Sequence, residues 1–469
     1  MKLMKNLSRE FEKLKVGLSY ESVLLLSWLL VPLFLAPLKF VLHRVGIDSG
    51  VGRECAQLLL TSIPLLLFFA IYPKDKLKEF RPVFFVWLFV YVTVAISYYA
   101  SPEIRYFLFR SDYGLTRSIR PDAAMYALLF FMLVRDSKEL LRDLRIYAYF
   151  KFLYLFVFEI IPFIRDGGWT DIGARGQEVA FSYNLGFGYA MLLVTVILFY
   201  SFIVKGYKTD FVLGCFGFYE VFNNGNRGAL LLLCGFVFLF TLQRVYFYKD
   251  KKYGKYMIGG LFIFSALFAL TKDPIAVLGV VVLNKMNPKP GSYNIGKNLF
   301  VVLSVVVCLL LVKQLCLVAS ELLFHLDTSV TVSRNQMMLS SGEFTSGNGR
   351  EDIWASVFNA FKANPITGYG FYGDRPFVYP HHAIAYSHNV LLELVCSYGI
   401  LGLLAFIYIV KDAYYMLFKC EDQRWREIYL IFFVVAAQLL ISYSFWYVFE
   451  IWAAAAISYC YRRFIILSK

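Results

Sequence analysis

Apolar runs long enough to cross a membrane recur from Val23 to the C-terminus, separated by short polar stretches rich in basic residues. A helix rises about 1.5 Å per residue, so about 20 apolar residues cross a hydrocarbon core of about 30 Å. Spans are predicted near 22–42, 55–72, 82–100, 121–134, 146–164, 183–204, 209–223, 227–243, 256–270, 273–284, 298–318, 387–410, 427–447 and 449–466. The expected total is about 12–14, because the short pair around Lys272–Pro274 also reads as one broken helix. The fold class is an all-α polytopic integral membrane protein. One polar stretch, 319–386, is far longer than the rest and reads as a loop with short helices. It divides the chain into transmembrane helices in 1–318, an external loop 319–386 and transmembrane helices in 387–469.

Composition agrees: 59% of the 469 residues are hydrophobic and 17% charged, with a mean hydropathy of +0.60, more apolar surface than one soluble core can hide. The net charge of +14 would suggest nucleic acid in a soluble protein. Here it is spread in clusters between apolar runs, which is the pattern of cytoplasmic loops, so no nucleic-acid partner is expected. Those clusters put both termini inside. The Lys-rich stretch before the first span has no small-residue cleavage site, and no processing is expected. The eight cysteines fall in spans, at their edges or in the cytoplasmic 411–426 loop, so no external disulfide is expected.

The remaining segments, 101–120, 165–182, 223–227 and 319–386, fall outside. They carry Arg105, Arg110, Arg117, Arg120, Arg165, Arg175, Arg227, Arg334, Arg350 and Arg375, with Lys362 as the lysine exception. A guanidinium grips phosphate through paired hydrogen bonds that an ammonium cannot imitate, although single arginines also snorkel to lipid phosphates. Arg227 is the least easily explained in that way. In NNGNRGALLLL it opens a helix, where a cation opposes the dipole unless an anion is bound. Gly225, Gly228, Asn223, Asn224 and Asn226 complete a candidate phosphate cradle. In the long loop, Trp354, Val357, Phe358 and Phe361 recur at helical spacing behind Arg350, and Asn364-Pro365 ends that helix. Gly368 and Gly370 in GYG predict a tight turn able to approach a ligand. His388 and Asn389 then stand at the start of an apolar span.

NRGAL at 226–230, GREDIW at 349–354, NPITGYG at 364–370 and SHNVLLELVCSYGILG at 387–402 resemble, in that order, the signature of the bacterial O-antigen polymerase and O-antigen ligase superfamily. The resemblance covers roughly residues 220–410; the N-terminal half is similar only in hydropathy. It implies a C-type glycosyltransferase fold in the bacterial cytoplasmic membrane, with an active site facing the periplasm or exterior and no metal or other cofactor. Its donor and acceptor are undecaprenyl-diphosphate-linked oligosaccharides, with membrane lipid and a chain-length regulator as further partners. The family's two important arginines fall on Arg227 and Arg350, and its histidine on His388. Asn226 and Gly349 stand where the family often has Ser or Thr and Ser respectively, which weakens transfer at those two positions.

On this reading, Arg227 and Arg350 stabilise charge on the leaving diphosphate, with Arg117, Arg120, Asn389, Gly368 and Gly370 as further substrate contacts. Arginines replace a divalent ion, consistent with the absence of any Asp-x-Asp in the chain. His388, kept neutral at a helix N-terminus, accepts the acceptor hydroxyl's proton. Inversion at the anomeric carbon is implied by the resemblance. The favoured activity is polymerisation of lipid-linked repeats, because the tyrosine- and phenylalanine-rich loop offers a platform for sugars. Transfer to a lipid A core by a ligase stays open. So does a flippase or proton-coupled transporter, for which Glu159, Glu220, Lys313 and Glu393 are intramembrane suspects. A metal site at His381, His382 and His388 would have only Asp374 as a nearby carboxylate.

Overall fold

The computed structural model describes residues 18–46, 50–110, 113–166, 169–172, 178–181, 184–224, 226–246, 350–382 and 386–466. Among them six helices are long and apolar enough to cross a membrane: Tyr20–Leu42, Gly50–Ile71, Lys74–Ala100, Ser137–Arg165, Leu185–Lys205 and Val390–Phe418. Each covers a predicted span. Arg227–Phe240 is a shorter apolar helix, and Gln423–Ala436 and Phe449–Cys460 fill the last two predicted spans only in part. The predicted spans between 256 and 318 lie outside the described residues, as do Arg175, Gly225, Lys313, Arg334, Cys308 and Cys316. The six described cysteines are all free.

The Leu185–Lys205 helix forms the centre. Its most apolar stretch is 72% buried, against 22% for Gly50–Ile71 and for Lys74–Ala100, so the latter two present most of their apolar surface outward, as lipid-facing helices do. Asn184 caps it by accepting from the Phe187 N–H at 2.9 Å, and Gly206 ends it in the left-handed region at φ 73. Helices Ser137–Leu155, Lys208–Asn223, Arg227–Tyr246 and Gln423–Ala436 pack around it.

Two elements differ from the sequence-based expectation. The charged stretch 135–145 is not a loop but opens the Ser137–Leu155 helix, because Asp136 caps its first turn through the Lys138 N–H at 2.8 Å and Leu140, Leu141, Leu144 and Ala148 form a buried stripe. Within the otherwise helical fold, Trp169–Ile172 and Glu178–Phe181 pair as an antiparallel hairpin.

Buried ion pairs bolt the end of the bundle that carries the Lys205–Lys208 turn. Arg145 Nε meets Asp210 Oδ2 at 2.9 Å, and Tyr149 also donates to Asp210. Arg244 Nε meets Glu427 Oε1 at 2.7 Å, and Tyr200 donates to Glu427 Oε2 at 3.0 Å. Removing one partner from the Arg145–Asp210 or Arg244–Glu427 pair costs about 3–5 kcal/mol, because the other charge stays buried. Arg462 also pairs with Asp412, but with its side chain half-exposed. Arg145 and Arg244 lie in predicted cytoplasmic clusters, so part of that basic charge does structural work as well.

The Val390–Phe418 helix is broken at Gly399, whose φ of 57 and ψ of −132 are not helical. The segment after Asn364-Pro365 splints the break. The Ile400 N–H would bond Cys396 O in an unbroken helix and instead donates to Ile366 O at 3.3 Å. The carbonyl of Cys396 accepts from the Tyr369 N–H at 2.9 Å, and that of Ser397 from the Gly370 N–H at 2.7 Å. In a setting without water, exposed backbone groups at a helix break require partners of this kind.

Candidate functional site

His388 is 8% exposed and lies just before the Val390–Phe418 helix in the left-handed region, at φ 52. Asn389 caps that helix, its Oδ1 accepting from the Leu391 and Leu392 N–H groups at 3.0 and 3.2 Å. The imidazole lies 4.4 Å from the Tyr386 ring and 5.3 Å from the His382 ring, centroid to centroid. Its Nδ1 is buried without a hydrogen-bond partner among the described residues. Burial first, then the positive charge of Arg350, then His382 and Arg375, lower its pKa from the ordinary 6.5 to about 3. The same two leading causes, burial and Arg350, lower His382. Arg350, His382 and His388 are therefore close enough to interact electrostatically, and His388 is neutral at physiological pH.

Arg350 reaches this point because its helix, Arg350–Ala363, packs Ile353, Val357 and Ala360 against Val378 and Cys396. The inward face is one residue away from the predicted one: Phe358 is exposed and Trp354 half-buried. Trp354 donates from Nε1 to Ser387 O at 3.0 Å.

Beneath His388 lies an arginine that the sequence ranked only among many. Arg375 is fully buried, with Asp374 Oδ1 3.7 Å from its Nε and Glu393 Oε1 3.7 Å from its Nη2. It donates to Ser444 Oγ at 3.2 Å and lies over the rings of Tyr372, Tyr386 and Tyr447 at 4.6, 5.2 and 5.8 Å. Glu393, an intramembrane suspect from the sequence, accepts from the Ser444 hydroxyl and the Phe445 N–H. Asp374 Oδ2 accepts from the Ser387 N–H at 2.9 Å. Burial raises the Asp374 carboxyl above its ordinary value, against the lowering effect of Arg375.

Backbone strain concentrates in this patch. Among the described residues, the non-glycine residues with positive φ are Tyr113, Tyr372, His388 and Tyr443. Tyr372 OH contacts Tyr447 OH at 3.0 Å and donates to Gly114 O at 3.1 Å. Tyr113 and Tyr443 face Tyr386 at 5.9 and 6.4 Å between ring centroids. Such conformations cost about 1–3 kcal/mol each and gather where function requires them. Arg117, exposed, stacks on Tyr113 and Tyr447 at 4.9 and 5.4 Å. It also lines a cavity of about 370 Å³ together with Tyr443, Tyr447, Tyr189, Lys151 and Glu450.

The Arg227 turn adjoins the same patch. A Cβ on Gly228 would lie 2.2 Å from Tyr189 OH and 3.1 Å from Ile441 Cδ1, while Asn389 Nδ2 donates to Leu440 O. The turns bearing Arg227 and His388 thus share the 440–443 segment. Tyr189 faces Tyr443 at 5.6 Å. Asn224 and Asn226 of this turn serve packing. Asn224 exchanges hydrogen bonds with the backbone of Asn184 at 2.9 and 3.2 Å. Asn226 caps the helix through the Ala229 N–H at 3.2 Å and reaches Leu185 O at 3.3 Å.

The structure therefore brings Arg350 and His388 together, with Arg117 and Arg227 in adjoining parts of one patch. Arg120 is directed elsewhere, its guanidinium forked onto Asp122 at 2.6 and 2.9 Å and bonded to Gln57 at 2.9 Å. Gly368 and Gly370 approach protein rather than open space: a Cβ there would lie 2.6 Å from the Ser397 backbone and 2.3 Å from Ser97 Oγ. Asn389 is occupied as a cap. His381 and His382 join no group of three or more His, Cys, Asp or Glu able to hold a metal ion among the described residues. No local pattern distinguished Arg375 from the other external arginines or singled out Tyr372 and Tyr443; the tyrosine density of the segment was the nearest signal.

Fold and site together define a polytopic helical membrane protein with a polar, arginine-bearing site at one end of its bundle. Residues 211–407 match the family model described as O-Antigen ligase, so this stretch of the chain is similar to that family. That family covers both O-antigen ligases and polymerases, suggests glycosyltransferase-like activity and implies lipid-linked polysaccharide substrates. The matched stretch contains Arg227, Arg350 and His388. No curated protein and no solved structure matches the chain.

Proposed function

We propose that the protein polymerises lipid-linked repeat units at the outer face of the bacterial cytoplasmic membrane. It moves a growing glycan from undecaprenyl diphosphate to a sugar hydroxyl of another lipid-linked repeat. The observation that carries this reading is a neutral, buried His388 within the field of Arg350, on the patch adjoined by the Arg227 turn. The acceptor oxygen forms a bond to the anomeric carbon while the carbon–oxygen bond to phosphate breaks. The electron pair leaves with the diphosphate, held by Arg350 and Arg227, and the hydroxyl proton passes to an imidazole nitrogen of His388. Configuration at the anomeric carbon inverts.

An imidazole with a pKa of about 3 is a weak base. A donor diphosphate beside Arg350 opposes that positive field and moves His388 back toward its ordinary value, so the base strengthens as donor binds. The arginines stand in for a divalent ion, and activity is expected to persist in chelator. A ligase reading is favoured by the description of the matched family, and it uses the same donor chemistry.

Deleting the gene separates these readings. Loss of a polymerase leaves single repeat units on the surface acceptor. Loss of a ligase leaves the acceptor bare and accumulates long lipid-linked chains. If lipid-linked repeats fail to reach the outer face, the protein is a transporter and the proposal is wrong.

A further inference from the structure

The turn that carries His388 is strained, and no hydrogen bond from the ring's Nδ1 anchors it. His388 has a left-handed backbone without being glycine, and its Nδ1 has no hydrogen-bond partner among the described residues. The ring rests against Tyr386 and His382, and the hydrogen bonds that hold the turn converge on the preceding residue. The Ser387 N–H donates to Asp374 Oδ2 at 2.9 Å. The Ser387 carbonyl accepts from Trp354 Nε1 at 3.0 Å. The Ser387 side chain closes the turn by donating to Asn389 O at 3.1 Å.

Both outer anchors sit on firm supports. Asp374 is fully buried and faces the Arg375 guanidinium, which Glu393 balances from the other side. Trp354 stands one residue from Ile353 on a helix whose inner face is packed against Val378 and Cys396. It lies one turn beyond Arg350 on that same helix, so its bond also fixes the distance between the arginine's helix and the histidine's turn.

We propose that Asp374 and Trp354 are positioning residues that clamp Ser387 by its N–H and its carbonyl and thereby aim His388. This rests on the reading of His388 as the proton acceptor. Neither residue touches substrate. Their loss loosens an imidazole whose geometry must be held to a few tenths of an ångström, so it lowers turnover without weakening donor binding.

The test uses purified full-length protein in detergent or nanodiscs with a lipid-diphosphate-linked oligosaccharide as donor. Asp374→Ala is expected to lower kcat at least tenfold with the donor KM within about twofold of wild type. Asp374→Asn keeps an acceptor oxygen for the Ser387 N–H and leaves Arg375 balanced by Glu393, so it should recover most of the loss. Trp354→Phe keeps the ring and removes the donor; it should reproduce the kcat defect and still fold if Asp374→Ala does not.

Full activity in His388→Ala overturns the catalytic reading itself. If His388→Ala is inactive while folded Asp374→Ala and Trp354→Phe turn over normally, the clamp alone is wrong. A defect confined to KM, or one that Asp374→Asn shares in full, also overturns the clamp.

Discussion

Replacing Gly399 by alanine tests the splinted break directly. The residue sits at φ 57 and ψ −132, a conformation nearly closed to any side chain, and holding alanine there costs about 1–3 kcal/mol. Its Cβ would lie 2.3 Å from Ile366 O and 2.7 Å from Pro365 O. Both are backbone atoms, so the splint itself must retreat. Three inter-segment hydrogen bonds then lengthen, those of Tyr369, Gly370 and Ile400, at about 0.5–1.5 kcal/mol each. Together these give a loss of about 3–7 kcal/mol, a large part of the roughly 5–15 kcal/mol that holds a typical domain folded. The assay is heat unfolding of the detergent-purified protein followed by intrinsic fluorescence, alongside recovery of monodisperse protein. Gly50→Ala is the control: no atom lies within 4 Å of its added Cβ, and the change should stay within about 1 kcal/mol. If Gly399→Ala unfolds at the same temperature as Gly50→Ala and wild type, the splint has been misread.

Other predictions concern the site. Arg350→Gln removes a charge that lowers His388, so the acid limb of residual kcat/KM should move to higher pH than in wild type; an unmoved limb would detach Arg350 from His388. Arg227→Ala should raise the donor KM at least tenfold while the acceptor KM changes little, and unchanged donor kinetics would count against a diphosphate contact there. Asn389→Ala removes a cap bonded to two N–H groups and should lower stability by about 1 kcal/mol, measurable as a small fall in the unfolding midpoint.

Much of the architecture follows from local pattern. Apolar runs place the helices, and Ile353, Val357 and Ala360 show why 350–363 is a helix with one buried face, even though Trp354 and Phe358 made a neighbouring face look equally apolar. The site is legible only in part, because its decisive contacts join distant segments. Ser387 meets Asp374 across 13 positions, Ser444 meets Glu393 across 51, and Tyr372 meets Gly114 across 258. No spacing rule reports such pairs. The glycines of GYG and Asn224 and Asn226 of NNGNRG are recognisable as special, but what they approach is protein. Gly368 and Gly370 brace a helix break, and Asn224 and Asn226 tie two helices together. Arg375 looked like any loop arginine, since burial is a property of the folded molecule and not of the residues beside it.

The two ends of the bundle are built differently. Ion pairs at Asp210, Asp412 and Glu427 hold one end; the other has its own buried cluster of Asp374, Arg375 and Glu393 but sets beside it the left-handed tyrosines and His388. Local stability in a protein is uneven and follows such differences. On heating, the end that carries the candidate site, with its strained backbone, should lose its geometry while the other end still reports a folded protein. A melting temperature would then overstate the range over which the protein works, and activity measured during heating is the better guide.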